Sequence, residues 1–350
     1  MADQDWSKGD LVVQSSDMAL MNVASLAHSG ALDLSPRFQR RNRWERDRQS
    51  RLIESFLLNV PVPPVYLAEE RRGRFAVIDG KQRLTAISRF LNNEFRLAPL
   101  TFLPELEGRT FEELSPTLQS TLNMRPLRAV TVMRQTPEWM KYEVFIRLNS
   151  GGQPLNPQEI RNVAFAGTLN DTILDLSSDD FLRQQLKIRS NTSPAYADMT
   201  DVEYVLRFLA LSTSWRHFSG SFKTTLDDFM LSHYQDSEAE VTEFEQRFLR
   251  ALRATEDIWG DHAFRRYDGK QWRDQTIGGV YDAQMIACSL SSDKVIATAA
   301  AKRNQAIRAM AELFKDEDFD AAVRIGTNTP SRVRYRIQEV RKLLSNLASG

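Results

Sequence analysis

The chain has 350 residues, 42% hydrophobic and 26% charged, and its 46 basic residues balance its 46 acidic ones. These values exclude a disordered, collagen-like or disulfide-scaffold protein, and zero net charge removes any whole-molecule pull toward nucleic acid or anionic lipid. A single cysteine, Cys288, excludes an intramolecular disulfide and a cysteine-held zinc or iron–sulfur cluster, as expected of a protein in a reducing cytoplasm.

At about 150 residues per domain, the length suggests two domains. Met1 to Asp17 alternates polar and apolar residues, without the basic start and apolar stretch of a secretory signal. No window approaches the roughly 18 apolar residues of a membrane span, so a cytoplasmic protein without a membrane partner is expected. Arg48 to Leu58 places Leu52, Ile53, Phe56 and Leu57 at helical spacing, and Pro61, Pro63 and Pro64 stop that helix. Val65 to Leu67 reads as a short strand, Arg74 to Ile78 as a second, and Gln82 to Leu91 as a helix through Leu84, Ile87 and Leu91. Thr136-Pro137 predicts a capped helix that runs to Leu148 and stops at Asn149, before Gly151 and Gly152. Asn156-Pro157-Gln158-Glu159 predicts another, with Asn156 and Glu159 as a capping box. Helical periods then fill 200–211, 238–258, 281–290, 293–314 and 331–347. The expected architecture is α+β followed by mostly α-helical, with the boundary between about 165 and 195, where serines, Asn191 and Pro194 thin out the pattern.

The chemistry concentrates in Phe75-Ala-Val-Ile-Asp79-Gly80-Lys81-Gln82-Arg83, a strand, a glycine turn and the first turn of a helix. Such a turn aims backbone N–H groups and the positive end of the helix dipole at whatever lies before it. Gly80 admits a bulky anion, Lys81 and Arg83 add positive charge, and Asp79 can hold Mg²⁺ or orient water. The alternative reading of the same residues is an Asp-Gly turn whose arginine makes a surface salt bridge.

The phrase closely resembles the Asp-Gly-Gln-Gln-Arg signature of the N-terminal domain of GmrSD-type restriction systems, a family related to the ParB/sulfiredoxin-like fold. Three further blocks carry the resemblance in the right order. They are Pro36-Arg-Phe-Gln39-Arg40 with Trp44; Leu52 to Pro64; and Phe145-Ile-Arg147-Leu-Asn149-Ser-Gly151-Gly152 followed by Gln158-Glu159-Ile-Arg161-Asn162. Together they span about residues 32 to 166. The departure is Lys81, where the family most often has its first glutamine.

The resemblance implies a ParB-like nucleotide-binding domain over 31–170, which leaves an N-terminal arm over 1–30 and, from the helical periods, a helical domain over 171–350. It implies binding, and in several members hydrolysis, of a nucleoside triphosphate with Mg²⁺ in defence against foreign or modified DNA. Carried onto matching positions, Asp79 and Arg83 are the catalytic candidates, with Asp79 also the metal ligand. Gly80, Lys81, Gln82, Gln39, Arg40, Arg147 and Asn149 are the nucleotide- and phosphate-binding candidates. The structural alternative for Arg147 and Asn149 is that they close and cap a helix C-terminus.

Seven arginines between Arg37 and Arg51, against Glu45 and Asp47, leave a local net charge of +5, with Phe38 and Trp44 interleaved. Arg37, Arg41, Arg43 and Trp44 are therefore candidates for nucleic-acid contact, the alternative being a solvated helix start with Arg–Glu pairs. Arg332, Arg334, Arg336, Arg341 and Lys342 form a second basic stretch that would track a DNA backbone or serve only solubility. Asp268-Gly269-Lys270-Gln271 echoes the motif but continues into Trp272 and reads as a loop.

No Gly-x-x-x-x-Gly-Lys-Ser/Thr loop, His-x-x-Pro block or Glu-x-Lys occurs, so a triphosphatase here would not be of the P-loop kind and no nuclease signature is recognisable. Three functions stay open. One is a nucleotide-hydrolysing defence protein working with a separate nuclease or effector subunit or on DNA. Another is a DNA-binding or scaffold protein that uses the ParB-like fold and takes nucleotide only as a switch. A nuclease with an unrecognised site in the helical half is a third.

Overall fold

A computed structural model describes residues 10–34, 44–71, 73–148 and 156–349. The chain forms two compact units, Met1–Ala164 and Phe165–Gly350. The first is α+β and the second mostly helical, as the residue pattern predicts.

In the first unit the order is β1 (Val13–Ala19), α1 (Leu20–His28), β2 (Leu32–Asp33), α2 (Arg46–Leu57), β3 (Val65–Arg71), β4 (Arg74–Asp79) and α3 (Lys81–Leu91). There follow α4 (Pro116–Met124), β5 (Pro126–Val132), α5 (Glu138–Leu148) and α6 (Pro157–Ala164). The strands form one sheet in the order β1-β5-β3-β4-β2. The β1–β5 and β3–β4 pairs are antiparallel, and β3–β5 and β2–β4 are parallel.

Alternation along the strands gives the sheet two apolar faces. Val65, Leu67, Phe75 and Val77 pack with Leu52, Ile53 and Phe56 of α2 and Leu84, Ile87 and Phe90 of α3. Ala68, Ala76 and Ile78 turn the other way, onto Phe145 of α5 and Ile160 of α6. Residues 13–28 are integral to this unit: β1 edges the sheet, and Leu20 and Val23 of α1 are fully buried.

The capping box at α6 is present in both directions, Asn156 N–H to Glu159 Oε2 and Glu159 N–H to Asn156 Oδ1, each 2.8 Å. The hydroxyl of Thr136 also makes contacts that its sequence position does not suggest. It accepts from the Val12 N–H at 3.1 Å and donates to the Val12 carbonyl at 3.3 Å, anchoring the approach to β1.

The second unit comprises α7 (Thr168–Leu176), α8 (Asp180–Gln185), α9 (Pro194–Ala197), α10 (Thr200–Ser214), α11 (Phe222–His233) and α12 (Glu238–Trp259). A hairpin of β6 (Arg265–Tyr267) and β7 (Trp272–Thr276) follows. The chain ends in α13 (Gly278–Leu290), α14 (Asp293–Ala301), α15 (Arg303–Leu313), α16 (Glu317–Arg324) and α17 (Pro330–Ser349). The period over 293–314 is two helices rather than one. They meet at Lys302, whose ammonium is drawn to the Leu347 carbonyl of α17 at 2.9 Å. Asp268 to Gln271 is the turn of the hairpin, closed by Asp268 Oδ1 accepting from the Lys270 and Gln271 N–H groups. Among the described residues no helix is long and apolar enough to cross a membrane.

Two ion networks organise this unit. In the interior, Asp282 accepts from Arg207 at both oxygens, 2.6 Å each, and from Arg336 at 2.5 Å. Nearer the surface, Asp320 accepts from Arg266 and Arg324. Burial works to raise the Asp320 carboxyl, but hydrogen bonds from the two arginines outweigh it and hold it below its ordinary value of 3.8.

The unfolded chain therefore takes up this proton at a higher pH than the folded one. The network's contribution is complete above the ordinary carboxylate range and is lost as pH falls through the lower folded value. We expect Asp320→Asn to lower stability at pH 7 and to flatten the acid limb of a urea-midpoint profile below about pH 4. An acid limb identical to wild type would contradict this assignment.

Candidate functional site

The turn predicted to carry the chemistry lies where β4 ends against the first residues of β3, Asp79 facing Tyr66 across the ladder. Gly80 joins strand to helix in the left-handed region, at φ 94°, and its carbonyl accepts the Leu84 N–H at 2.9 Å. A Cβ there would fall 2.4 Å from Cγ1 of Val65 and 3.1 Å from Nη2 of Arg83. Packing and backbone conformation therefore require glycine at this point, and the space beside its Cα is filled by Val65.

Arg83 reaches back one turn. Its Nη2 donates to Asp79 Oδ2 at 2.7 Å and its Nη1 to the Pro63 carbonyl at 3.0 Å. The arginine is 13% exposed and the aspartate 42%. Asp79 is thus the open member of the pair, and its Oδ1 has no hydrogen-bond partner among the described residues. The sequence's two readings of the motif meet here: the salt bridge exists, and beside it a carboxylate oxygen faces outward.

The first turn of α3 contains Lys81 and Arg83, no acidic residue and no side-chain cap. Helices ordinarily place acidic groups at this end; here the carboxylate of Asp79, just before the helix, pairs with Arg83. Gln82 faces another way: its Oε1 accepts the backbone N–H of Trp44 at 3.1 Å. Gln49 adds a second tie to Trp44, its Nε2 donating to the Trp44 carbonyl at 2.6 Å, and Arg89 donates to Gln49 Oε1 at 3.2 Å. The structure thus joins Gln82 to the start of α2 through Trp44. Neither Gln49 nor the Pro63 carbonyl stood out in the sequence, although a buried glutamine on the apolar side of α2 is a polar group in need of partners.

The other candidates are dispersed. Arg48 lies over the Trp44 ring, 4.3 Å from its centroid, so a base stacking on that face would have to displace it. Arg147 is 76% exposed and pairs with Glu143 one turn earlier, on α5, the helix covering the sheet face opposite α3. Gln39, Arg40, Asn149, Arg37, Arg41 and Arg43 lie outside the described residues. The second basic stretch is divided by its contacts. Arg336 is buried on Asp282, Arg332 and Arg334 donate to the Ile325 and Arg216 carbonyls, and Lys342 pairs with Glu339. Cys288 is fully buried in α13, and burial pushes its thiol up to about 12, which suits a core residue.

Among the described residues no group of three or more His, Cys, Asp or Glu side chains gathers as for a metal ion. Mg²⁺ does not need such a cage where phosphates and water complete its shell, and the outward oxygen of Asp79 fits that mode.

No curated protein and no solved structure matches the chain. One family model does, that of the GmrSD restriction endonuclease, N-terminal domain, over residues 23–166. The match takes in β3, the Asp79–Arg83 turn, α5 and α6, the elements that carry the motif blocks. The segment 23–166 belongs to the GmrSD restriction endonuclease N-terminal domain family.

Proposed function

We propose that this protein binds a nucleoside triphosphate with Mg²⁺ at the Asp79–Arg83 turn and hydrolyses it, within a defence system of restriction type whose nuclease is a separate subunit. The observation that carries the reading is the start of α3: Lys81 and Arg83 in the first turn, no acidic residue and no side-chain cap. Arg83 neutralises phosphate charge, its planar fork suiting phosphate oxygens as it suits Asp79. The N–H groups of the turn hold a non-bridging oxygen. Asp79 offers its outward oxygen to Mg²⁺ or to the attacking water. Magnesium, when bound, supplies neutralisation of charge between the phosphates. Gln82 keeps Trp44 and the start of α2 in place beside the turn.

The test is calorimetric titration with each of the four ribonucleoside triphosphates and Mg²⁺, wild type beside Arg83→Ala. A charge-assisted hydrogen bond contributes roughly 1.5–3 kcal/mol, so Arg83→Ala should weaken binding by about 10- to 150-fold. Phosphate release should disappear in Asp79→Ala with the far-ultraviolet circular dichroism unchanged. Equal affinity in wild type and Arg83→Ala would remove the site.

The closure of Arg83 onto Asp79 and Pro63 favours a second reading, in which the domain is a DNA-binding or scaffold element and nucleotide acts only as a switch. Saturable binding without turnover selects that reading. Metal-dependent nicking of DNA that survives both substitutions would instead place a nuclease elsewhere in the chain.

A further inference from the structure

The five-stranded sheet of the first unit ends differently on its two sides. β2, beyond β4, is two residues long and leaves little backbone for another chain to pair with. β1, beyond β5, is seven residues long and matched to β5 in one unbroken register, from Val13 opposite Val132 to Ala19 opposite Pro126. Its sequence, Val-Gln-Ser-Ser-Asp-Met-Ala, has none of the lysines, prolines or bulges with which proteins blunt an open edge.

The bonds at the two ends of β1 fix the direction of its backbone. The Val12 carbonyl accepts the Met133 N–H at 2.8 Å, and the Leu20 N–H donates to the Arg125 carbonyl at 3.1 Å. Even-numbered residues are therefore turned to β5, and the N–H and C=O groups of Val13, Ser15, Asp17 and Ala19 point away from the sheet. Among the described residues no strand lies beyond them. Apolar side chains stand open at both ends of this edge: Leu11, Val12, Val13 and Met21 are between 40% and 50% exposed.

The edge is complementary to itself. Two copies set antiparallel about a twofold axis at Ser16 place Val13 opposite Ala19 of the second copy and Ser15 opposite its Asp17, apolar against apolar and hydroxyl against carboxylate. The outward-facing residues then meet as hydrogen-bonded pairs, giving about eight backbone bonds. Leu11 is brought to the end of the strand where Met21 stands exposed. A slip by two residues is worse in either direction: one sets the two Asp17 carboxylates opposite each other, and the other sets Asp17 against Val13.

We propose that β1 is the interface of a symmetric dimer, in which a second copy of this chain pairs with it antiparallel about Ser16 and joins two five-stranded sheets into one. This interface does not depend on the function proposed for the Asp79–Arg83 turn.

Sedimentation equilibrium of the full chain at micromolar concentration should give twice its mass of 40.1 kDa. Ser15→Pro removes an outward N–H and no bond to β5, so it should keep the circular dichroism of wild type and weaken dimerisation at least about tenfold. Ser16→Cys tests the register, in a chain whose own thiol, Cys288, is buried. Residues facing each other at Ser16 form a non-hydrogen-bonded pair with Cα atoms about 4.5 Å apart, within the range of a disulfide. Mild oxidation should therefore link Ser16→Cys chains in pairs, whereas Gln14→Cys, which lies opposite Met18, should stay unlinked. If Ser15→Pro fails to fold, the linkage decides alone. A wild type that stays monomeric across the micromolar range overturns the proposal, and is the result expected if the edge serves a strand of some other protein. A dimer that a folded Ser15→Pro leaves intact, or no preference for linkage at Ser16 over Gln14, overturns it as well.

Discussion

Asp282→Ala should destabilise the helical unit by about 3–5 kcal/mol, the usual consequence of removing one partner from a buried ion pair. The carboxylate is wholly buried and holds two guanidiniums, one of them also wholly buried. Without it, Arg207 and Arg336 face each other across a low-dielectric interior with no acceptor between them. Burial and the nearby Arg207 already hold the Arg336 guanidinium below its ordinary value, with Asp282 opposing both. For a domain of this size such a loss corresponds to a melting temperature roughly 6–20 °C lower. Urea denaturation followed by circular dichroism measures it. Lys223→Ala is the control, since it removes an exposed pair with Asp227 and should change stability by less than about 1 kcal/mol. Comparable midpoints for the two variants would show that Asp282 is not the centre of this core.

The second large effect is expected at Gly80. Alanine there would hold a left-handed conformation at a cost of about 1–2 kcal/mol. Its Cβ would also overlap Cγ1 of Val65, adding roughly 1–3 kcal/mol of overpacking. The two parts separate experimentally. Adding Val65→Ala to Gly80→Ala removes the overlap, so the double variant should be more stable than the sum of the two single losses, while the backbone strain remains. Strict additivity would mean that Val65 moves aside and that the contact is not what requires glycine. Because α3 begins at Lys81, Gly80→Ala should also shift Arg83 from Asp79 and weaken the nucleotide binding proposed for this turn, a link that titration of the same variant reads directly.

Much of the turn and its surroundings was legible because local rules and tertiary packing agree there. The strand at 74–78, the glycine and the helical period through Leu84, Ile87 and Leu91 all appear where the residues place them. So does the reciprocal cap of Asn156 and Glu159. β1 could not be read in the same way. Its residues, Val-Gln-Ser-Ser-Asp-Met-Ala, are mostly exposed and lack a clear apolar face; they form a strand because β5 supplies the ladder. The bonds of Thr136 to Val12, a partner far away in sequence, could not be read from the local pattern either. The break at Lys302 has no glycine or proline to announce it. At the site itself, residue types showed the charge at the start of α3, but the contacts of Arg83 with Pro63 and of Gln82 with Trp44 depend on the fold.

The place of β1 has a consequence for how the protein is made. Its first strand leaves the ribosome long before its ladder partner exists: Asp17 and Arg128, which pair across β1 and β5, are 111 positions apart. Parallel pairing of β3 with β5 imposes a similar wait on the centre of the sheet. Distant pairings of this kind slow folding, because loop closure must come before the contacts that reward it. Until β5 is complete at Val132, the backbone of β1 has no ladder partner, and its edge is open to pairing with other chains during synthesis.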